Sequence, residues 1–292
     1  MSREPGVSRE TGASKACGRA SQRRAPPRRV IRQIMAMGGG GFTMQERTPA
    51  LDKLVLALTG KPVPRICFMP TASGDPREQV TRFYECFSGW PCEPSTLSLF
   101  HLGRDRIDPV AHLLAQDAIY VGGGSMRNML AIWREHGIDR TMRTAWEAGI
   151  VLAGLSAGAM CWFEGGVSMS GGAPEVVAGL GLLTGSLSVH LGGEYERLPV
   201  YRAAVASGAL APGYALDDGA ALVFAGGRLA QCVASRRGAR ALRVRADGAG
   251  ATDETELAIT LLPGVEDRLR TQAESLAVLE LRSLRAGRHR WD

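Results

Sequence analysis

A chain of 292 residues with 45% hydrophobic content can bury one sizeable core, and none of its apolar runs reaches the roughly 18 residues that cross a bilayer. The formal charge of +6 does not describe a basic, nucleic-acid-binding body: residues 1–32 hold nine basic residues against Glu4 and Glu10, so that leader carries +7 and the remainder about −1. The six cysteines (17, 67, 86, 92, 161 and 232) show neither C-x-x-C pairing nor zinc-like spacing; Cys67 and Cys161 lie in apolar surroundings and read as buried thiols, which fits a reducing cytoplasm.

The leader, 1–32, is rich in Ser, Gly, Pro and Arg and reads as a disordered tail, dispensable for fold and activity. It lacks the apolar segment of a secretory signal, so Arg23-Arg24 makes no export signal. An organellar transit peptide fits it, and so does sequence upstream of a start at Met35 or Met37. The remainder, 33–292, reads as one α/β domain. Val30 to Met37 predicts a strand that runs into Gly38-Gly39-Gly40-Gly41. Residues 46–59 have leucines and valines at helical spacing and end at Gly60. Arg65–Met69 is the next strand, closed by Pro70-Thr-Ala-Ser-Gly-Asp75, with a helix over Val80–Ser88 and a strand near Ser95–Phe100. Asp117–Val121 is a buried strand that opens into Gly122-Gly-Gly-Ser125, and helices follow over Met126–His136 and Arg140–Ala148. This alternation predicts a parallel, doubly wound sheet, whose sites form at the carboxyl ends of the strands; Gly38–Gly41, Pro70–Asp75, Gly122–Ser125 and Ser156 all fall at that edge.

Ile150 to Ala153 is a short apolar run suited to a fully buried parallel strand. It leads into Gly154-Leu155-Ser156-Ala157-Gly158, the G-x-S-x-G form of a nucleophile elbow. Small residues flank the serine because the chain doubles back there without room for side chains. The amide of Ala157 would then point toward an oxyanion. A glycine-rich turn with an incidental serine reads the pentapeptide equally well.

Beyond the elbow, Gly165 to Gly172 reads as loop, and Ser186–His190 as an alternating strand ending on a histidine. Glu194 to Tyr201 is polar, with Arg197 exposed, and Tyr201–Ala209 is helical. Tyr214–Phe224 reads as two strands around an Asp218-Gly219 turn. Residues 228–262 read as short antiparallel strands, and a terminal helix is expected at about 265–285.

The pairing of Val121-Gly-Gly-Gly-Ser125 with Gly154-Leu-Ser-Ala-Gly158 resembles the aspartyl dipeptidase (peptidase E) family of serine peptidases. Phe68-Met-Pro-Thr-Ala-Ser-Gly-Asp75, Cys161-Trp-Phe-Glu-Gly165 and His190–Tyr201 extend the likeness, which covers roughly residues 33–262. The resemblance implies a three-layer α/β/α fold with a mostly parallel central sheet, related to class I glutamine amidotransferases, a Ser-His-acid triad, and hydrolysis of dipeptides with N-terminal aspartate. It implies Ser156 as nucleophile, His190 as base, and the Gly124 and Ala157 amides as oxyanion hole. His101, His112, His136 and His289 sit on linker, helix or tail positions, away from the site edge.

Where the resemblance places an acid 13 to 15 residues after the nucleophile, this chain has Met169-Ser170-Gly171. Asp218 before Gly219 is the assigned acid instead, with Asp217 and Glu164 as further candidates. Arg197 resembles a position that holds the substrate carboxylate, against the alternative of a solvated arginine, and Ser125 is placed with it at the substrate. No cofactor or metal is called for. The expected partner is a small peptide, without nucleic acid or membrane, and a homodimer is left open. Competing readings are a cyanophycin-type isopeptide hydrolase and an amidotransferase-like binding or regulatory protein without catalysis. An amidotransferase itself needs a cysteine nucleophile, and Cys161 lies off the elbow apex.

Overall fold

Short, continuous apolar runs become the inner strands of a main sheet in the computed structural model, which describes residues 30–44 and 49–263. These strands are β1 (Gln33–Met37), β2 (Arg65–Met69), β3 (Glu93–Thr96), β4 (Ala118–Val121) and β5 (Val151–Leu155). The helices between them are α1 (Ala50–Leu58), α2 (Arg77–Phe87), α3 (Leu102–Asp105), α4 (Pro109–Leu114), α5 (Met126–Glu135) and α6 (Ile138–Glu147). The rest of the chain forms α7 (Ala157–Met160), β6 (Phe163–Ser168), β7 (Glu175–Ala178), β8 (Leu183–Ser188), α8 (Arg197–Ala206) and β9 (Gly213–Leu216). It closes with β10 (Ala220–Ala225), β11 (Arg228–Ala234), β12 (Ala241–Ala246), β13 (Thr252–Glu256) and β14 (Thr260–Leu261).

The main sheet has the order β14-β11-β10-β1-β5-β4-β2-β3. From β1 through β5, β4 and β2 to β3 every neighbour is parallel, and β10 joins β1 antiparallel. Alternate residues of β1 supply the two faces. Met35 and Met37 pack with α1 and α2 through Leu51, Val55, Phe83 and Phe87. Ile34 and Ala36 pack with α5 and α6 through Met129, Trp133 and Met142. Both faces are covered, as a parallel sheet requires, and the three layers follow. Among the described residues no helix is long and apolar enough to cross a membrane.

A second sheet, order β13-β12-β9-β8-β6-β7, departs from the sequence reading. One of its faces joins the main core, where Phe163 meets Phe224 edge-on at 5.6 Å. The other carries α8 through Tyr201, Ala204 and Val205. Residues 165–168, expected as loop, are the end of β6. A Cβ on Gly166 would lie 2.4 Å from the Leu187 carbonyl oxygen, so the glycine serves close strand packing rather than a turn. Residues 214–224 do form two strands, but not a hairpin: β9 belongs to the second sheet and β10 to the main one. The Asp217–Ala220 turn between them is closed by Ala220 N–H donating to Asp217 O. Of the C-terminal strands, β14 runs parallel to β11 rather than antiparallel. The tail over 1–29 and the terminal helix at about 265–285 lie outside the described residues.

Candidate active site

The carboxyl ends of β1, β2, β4 and β5 meet at one edge of the main sheet, and β10 starts there because it runs the other way. At the end of β5 the chain turns through Ser156, which holds φ 53° and ψ −115° before α7 begins. A non-glycine residue in that region carries on the order of 1–3 kcal/mol of strain. The turn is over-determined by its surroundings. The Ser156 amide donates to Met37 O at 3.0 Å. A Cβ on Gly154 would sit 2.1 Å from Gly158 O, and one on Gly158 would sit 2.4 Å from Val121 O, so both flanking positions exclude side chains.

His190 lies two residues beyond β8, also at positive φ (57°), and Asp218 sits in the turn between the two sheets. Ser156 Oγ is 2.9 Å from His190 Nε2, and His190 Nδ1 is 2.5 Å from Asp218 Oδ1. With the ring proton on Nδ1, the imidazole donates to Asp218 and its Nε2 accepts the Ser156 hydroxyl. Three residues drawn from β5, β8 and the inter-sheet turn thus form one hydrogen-bonded chain. Such a chain can take the proton from a hydroxyl as it attacks and stabilise the imidazolium that results.

Burial works to raise the carboxyl of Asp218. The hydrogen bond and charge of His190, with the Arg236 and Arg197 charges, outweigh it and hold the carboxyl below its ordinary value. Arg236 Nε also donates to Asp218 O at 2.6 Å, a contact the sequence reading missed. Gly39, in the glycine loop expected at this edge, touches the same group. A Cβ there would fall 2.3 Å from Asp218 Oδ1 and 3.1 Å from His190 Cε1. The other candidate acids are occupied elsewhere. Asp217 accepts from Arg240 N at 2.9 Å and Arg240 Nε at 3.1 Å, and Glu164 accepts from Gly185 N.

Gly124 approaches from the end of β4 with φ 137°, and a Cβ there would meet Ala72 O at 2.2 Å. Ala157 is the first residue of α7, so its amide has no partner within the helix. Ser125 caps α5, its hydroxyl accepting from Asn128 N at 3.2 Å and bonding Ser170 Oγ at 3.1 Å. Arg197, expected to be exposed, is 4% exposed instead. The turn after His190 explains this: Glu194 N donates to His190 O and Arg197 N donates to Glu194 O, which carries the arginine back under the loop. Its Nη2 pairs with Glu194 Oε2 at 2.5 Å, and its Nη1 reaches Met160 Sδ at 4.0 Å. Burial lowers the guanidinium from its ordinary value, opposed by Glu194 and Asp218. Cys161 is fully buried, its Sγ donating to Gly158 O, and burial pushes its thiol well above the ordinary value. A thiol so held is not a nucleophile.

A doubly covered, mostly parallel sheet with a serine elbow at its carboxyl edge defines the class: an α/β protein with a hydrolase-type site. The chain belongs to peptidase family S51, the peptidase E family, whose model matches residues 34–232. It is 48% identical over 214 residues to "Uncharacterized peptidase YgaJ" of Bacillus subtilis (strain 168), covering 73% of this chain and 92% of that one. Its fold is similar to the crystal structure of a peptidase from an acI-B1 Actinobacterium. That match has a TM-score of 0.60 at 19% identity, over 78% of this chain and 95% of the other. The protein is therefore a peptidase.

Proposed function

We propose that this peptidase is a serine-type dipeptidase acting on dipeptides with N-terminal aspartate. The observation that carries the reading is the hydrogen-bonded chain from Ser156 through His190 to Asp218. In the proposed reaction Ser156 Oγ attacks the peptide carbonyl carbon while His190 Nε2 takes its proton. The developing oxyanion is held by the amides of Gly124 and Ala157. His190 then returns the proton to the leaving amine as the C–N bond breaks, and water deacylates Ser156 by the same route. Asp218 keeps the imidazole in the tautomer that presents Nε2 to the serine.

The aspartate preference rests on the family resemblance and on Arg197. A buried guanidinium that pairs with Glu194 and lies within reach of the Asp218 charge suits a fork that also grips a substrate β-carboxylate. A panel of Asp-X, Ala-X and Lys-X dipeptides tests both halves. Wild type should turn over Asp-X, Ser156→Ala should turn over nothing, and Arg197→Ala should lose Asp-X preference while residual Ala-X cleavage persists. Absence of any Asp-X turnover by wild type would reject the substrate, and cleavage by Ser156→Ala would reject the mechanism.

A further inference from the structure

Ser170 stands where the resemblance placed an acidic residue, and the structure gives that position a different connection. Ser168, at the end of β6, is buried, and its Oγ lies 2.8 Å from Ser170 Oγ. The Ser170 amide also donates to Ser168 Oγ at 3.3 Å, which fixes the local turn. Ser125 Oγ in turn donates to Ser170 Oγ at 3.1 Å, completing a run of three hydroxyls. Ser125 follows Gly124 directly and caps α5, so the run ends on the loop that carries the Gly124 amide. A second link crosses the same seam, from Arg127 Nη2 in the first turn of α5 to Glu175 Oε2 at the start of β7, at 2.6 Å.

On its other side the glycine loop is pinned by Ser125 N donating to Ala72 O at 2.7 Å. The loop is thus clamped between the residues after β2 and the β6–β7 hairpin. That hairpin is not remote from the nucleophile, because β6 leaves α7 through only Cys161 and Trp162. The clamp therefore sets the loop relative to the same helix that begins directly after Ser156.

We propose that Ser170 is a positioning residue for the oxyanion hole, holding the Gly124 amide through the Ser168–Ser170–Ser125 hydroxyl run and thereby contributing to kcat. The inference rests on the reading of Gly124 as an oxyanion donor given above. Small displacements of such a donor are costly, since removing one outright lowers rates by about 10²–10³-fold and a misplacement near 1 Å by about 10²-fold. Loss of one link in a doubly tied loop should fall short of that, at roughly tenfold.

The test compares wild type, Ser170→Ala, Ser170→Thr and Arg127→Met in the full chain. It reads the second-order rate of labelling by a fluorophosphonate, whose phosphoryl oxygen occupies the oxyanion position, together with kcat and KM on a cleaved dipeptide and the melting temperature. Ser170→Ala should label and turn over roughly tenfold more slowly with KM and melting temperature little changed, and Ser170→Thr should restore both rates. Arg127→Met should slow labelling in the same sense, and a wild-type rate for it would overturn the clamp. Wild-type rates in Ser170→Ala, no rescue by threonine, or a rate loss matched by a fall in melting temperature would each overturn the positioning role while leaving the nucleophile standing. If wild type is not labelled at Ser156 at all, the nucleophile reading fails and this one fails with it.

Discussion

Gly39 lies against Asp218 so closely that a Cβ on the glycine would sit 2.3 Å from the carboxylate Oδ1. The same loop accepts a hydrogen bond at Gly39 O from Gly219 N, at 2.9 Å, so the end of β1 both shapes and fastens the turn that carries the acid. Gly39→Ala should therefore act on the site more than on the fold. Moving Asp218 and His190 out of register should lower kcat by about 10²-fold or more. The stability cost of one added methyl should stay at about 1–3 kcal/mol. Full activity in Gly39→Ala would show that the acid is not held in place by this contact.

The lowered carboxyl of Asp218 has a consequence for stability with a definite sign. Its folded-state pKa lies below the unfolded value, so in the window between them the unfolded chain binds more protons and stability rises with pH. The contribution is complete above the unfolded value and is lost as pH falls through the folded one. Urea midpoints of wild type and Asp218→Asn should accordingly differ by a constant amount at neutral pH and converge below about pH 4. A difference that widened toward acid would mean the carboxyl is raised in the native protein, against the His190 and Arg236 contacts.

The elements that carry this site were legible where their signal is local, and the roles of His190 and Gly124 came from the family resemblance. The strand over Arg65–Met69 and the elbow around Ser156 follow from short apolar runs broken by small residues, and both stand at their expected positions. The structure brings Ser156, His190 and Asp218 into contact, although 62 positions separate the first from the last. The second sheet was not legible. Aspartate before glycine between two apolar runs is the same local signal whether the strands pair with each other or part into separate sheets, and only long-range pairing decides. Gly166 of β6 misled for a related reason, since its use is a neighbouring strand's backbone rather than its own flexibility. Arg197 reads as exposed in a polar segment, and the turn bonded to His190 O is what buries it.

Cysteine chemistry should be irrelevant to turnover. Burial raises Cys161 far up, Cys67 to about 12 and Cys232 to about 11, so these thiols are protonated at neutral pH. Treating the native enzyme with iodoacetamide at pH 7.5 should leave peptidase activity within about twofold of the untreated control. Inactivation that disappears in Cys161→Ala would instead assign the nucleophile to the cysteine beyond the elbow.

The central claim is that Ser156 is the nucleophile, driven by His190 and oriented by Asp218, and it is tested most directly by mapping the adduct of a fluorophosphonate. Peptide mass spectrometry of the treated full-length protein should place one phosphonyl group on Ser156. The rate of its formation should fall on the order of 10⁴-fold in His190→Ala, and about ten to a hundred times less severely in Asp218→Ala. The double variant should be scarcely slower than His190→Ala alone, because the two groups act as one unit. An adduct on another residue, or labelling of Ser156 at the wild-type rate in His190→Ala, would contradict the account.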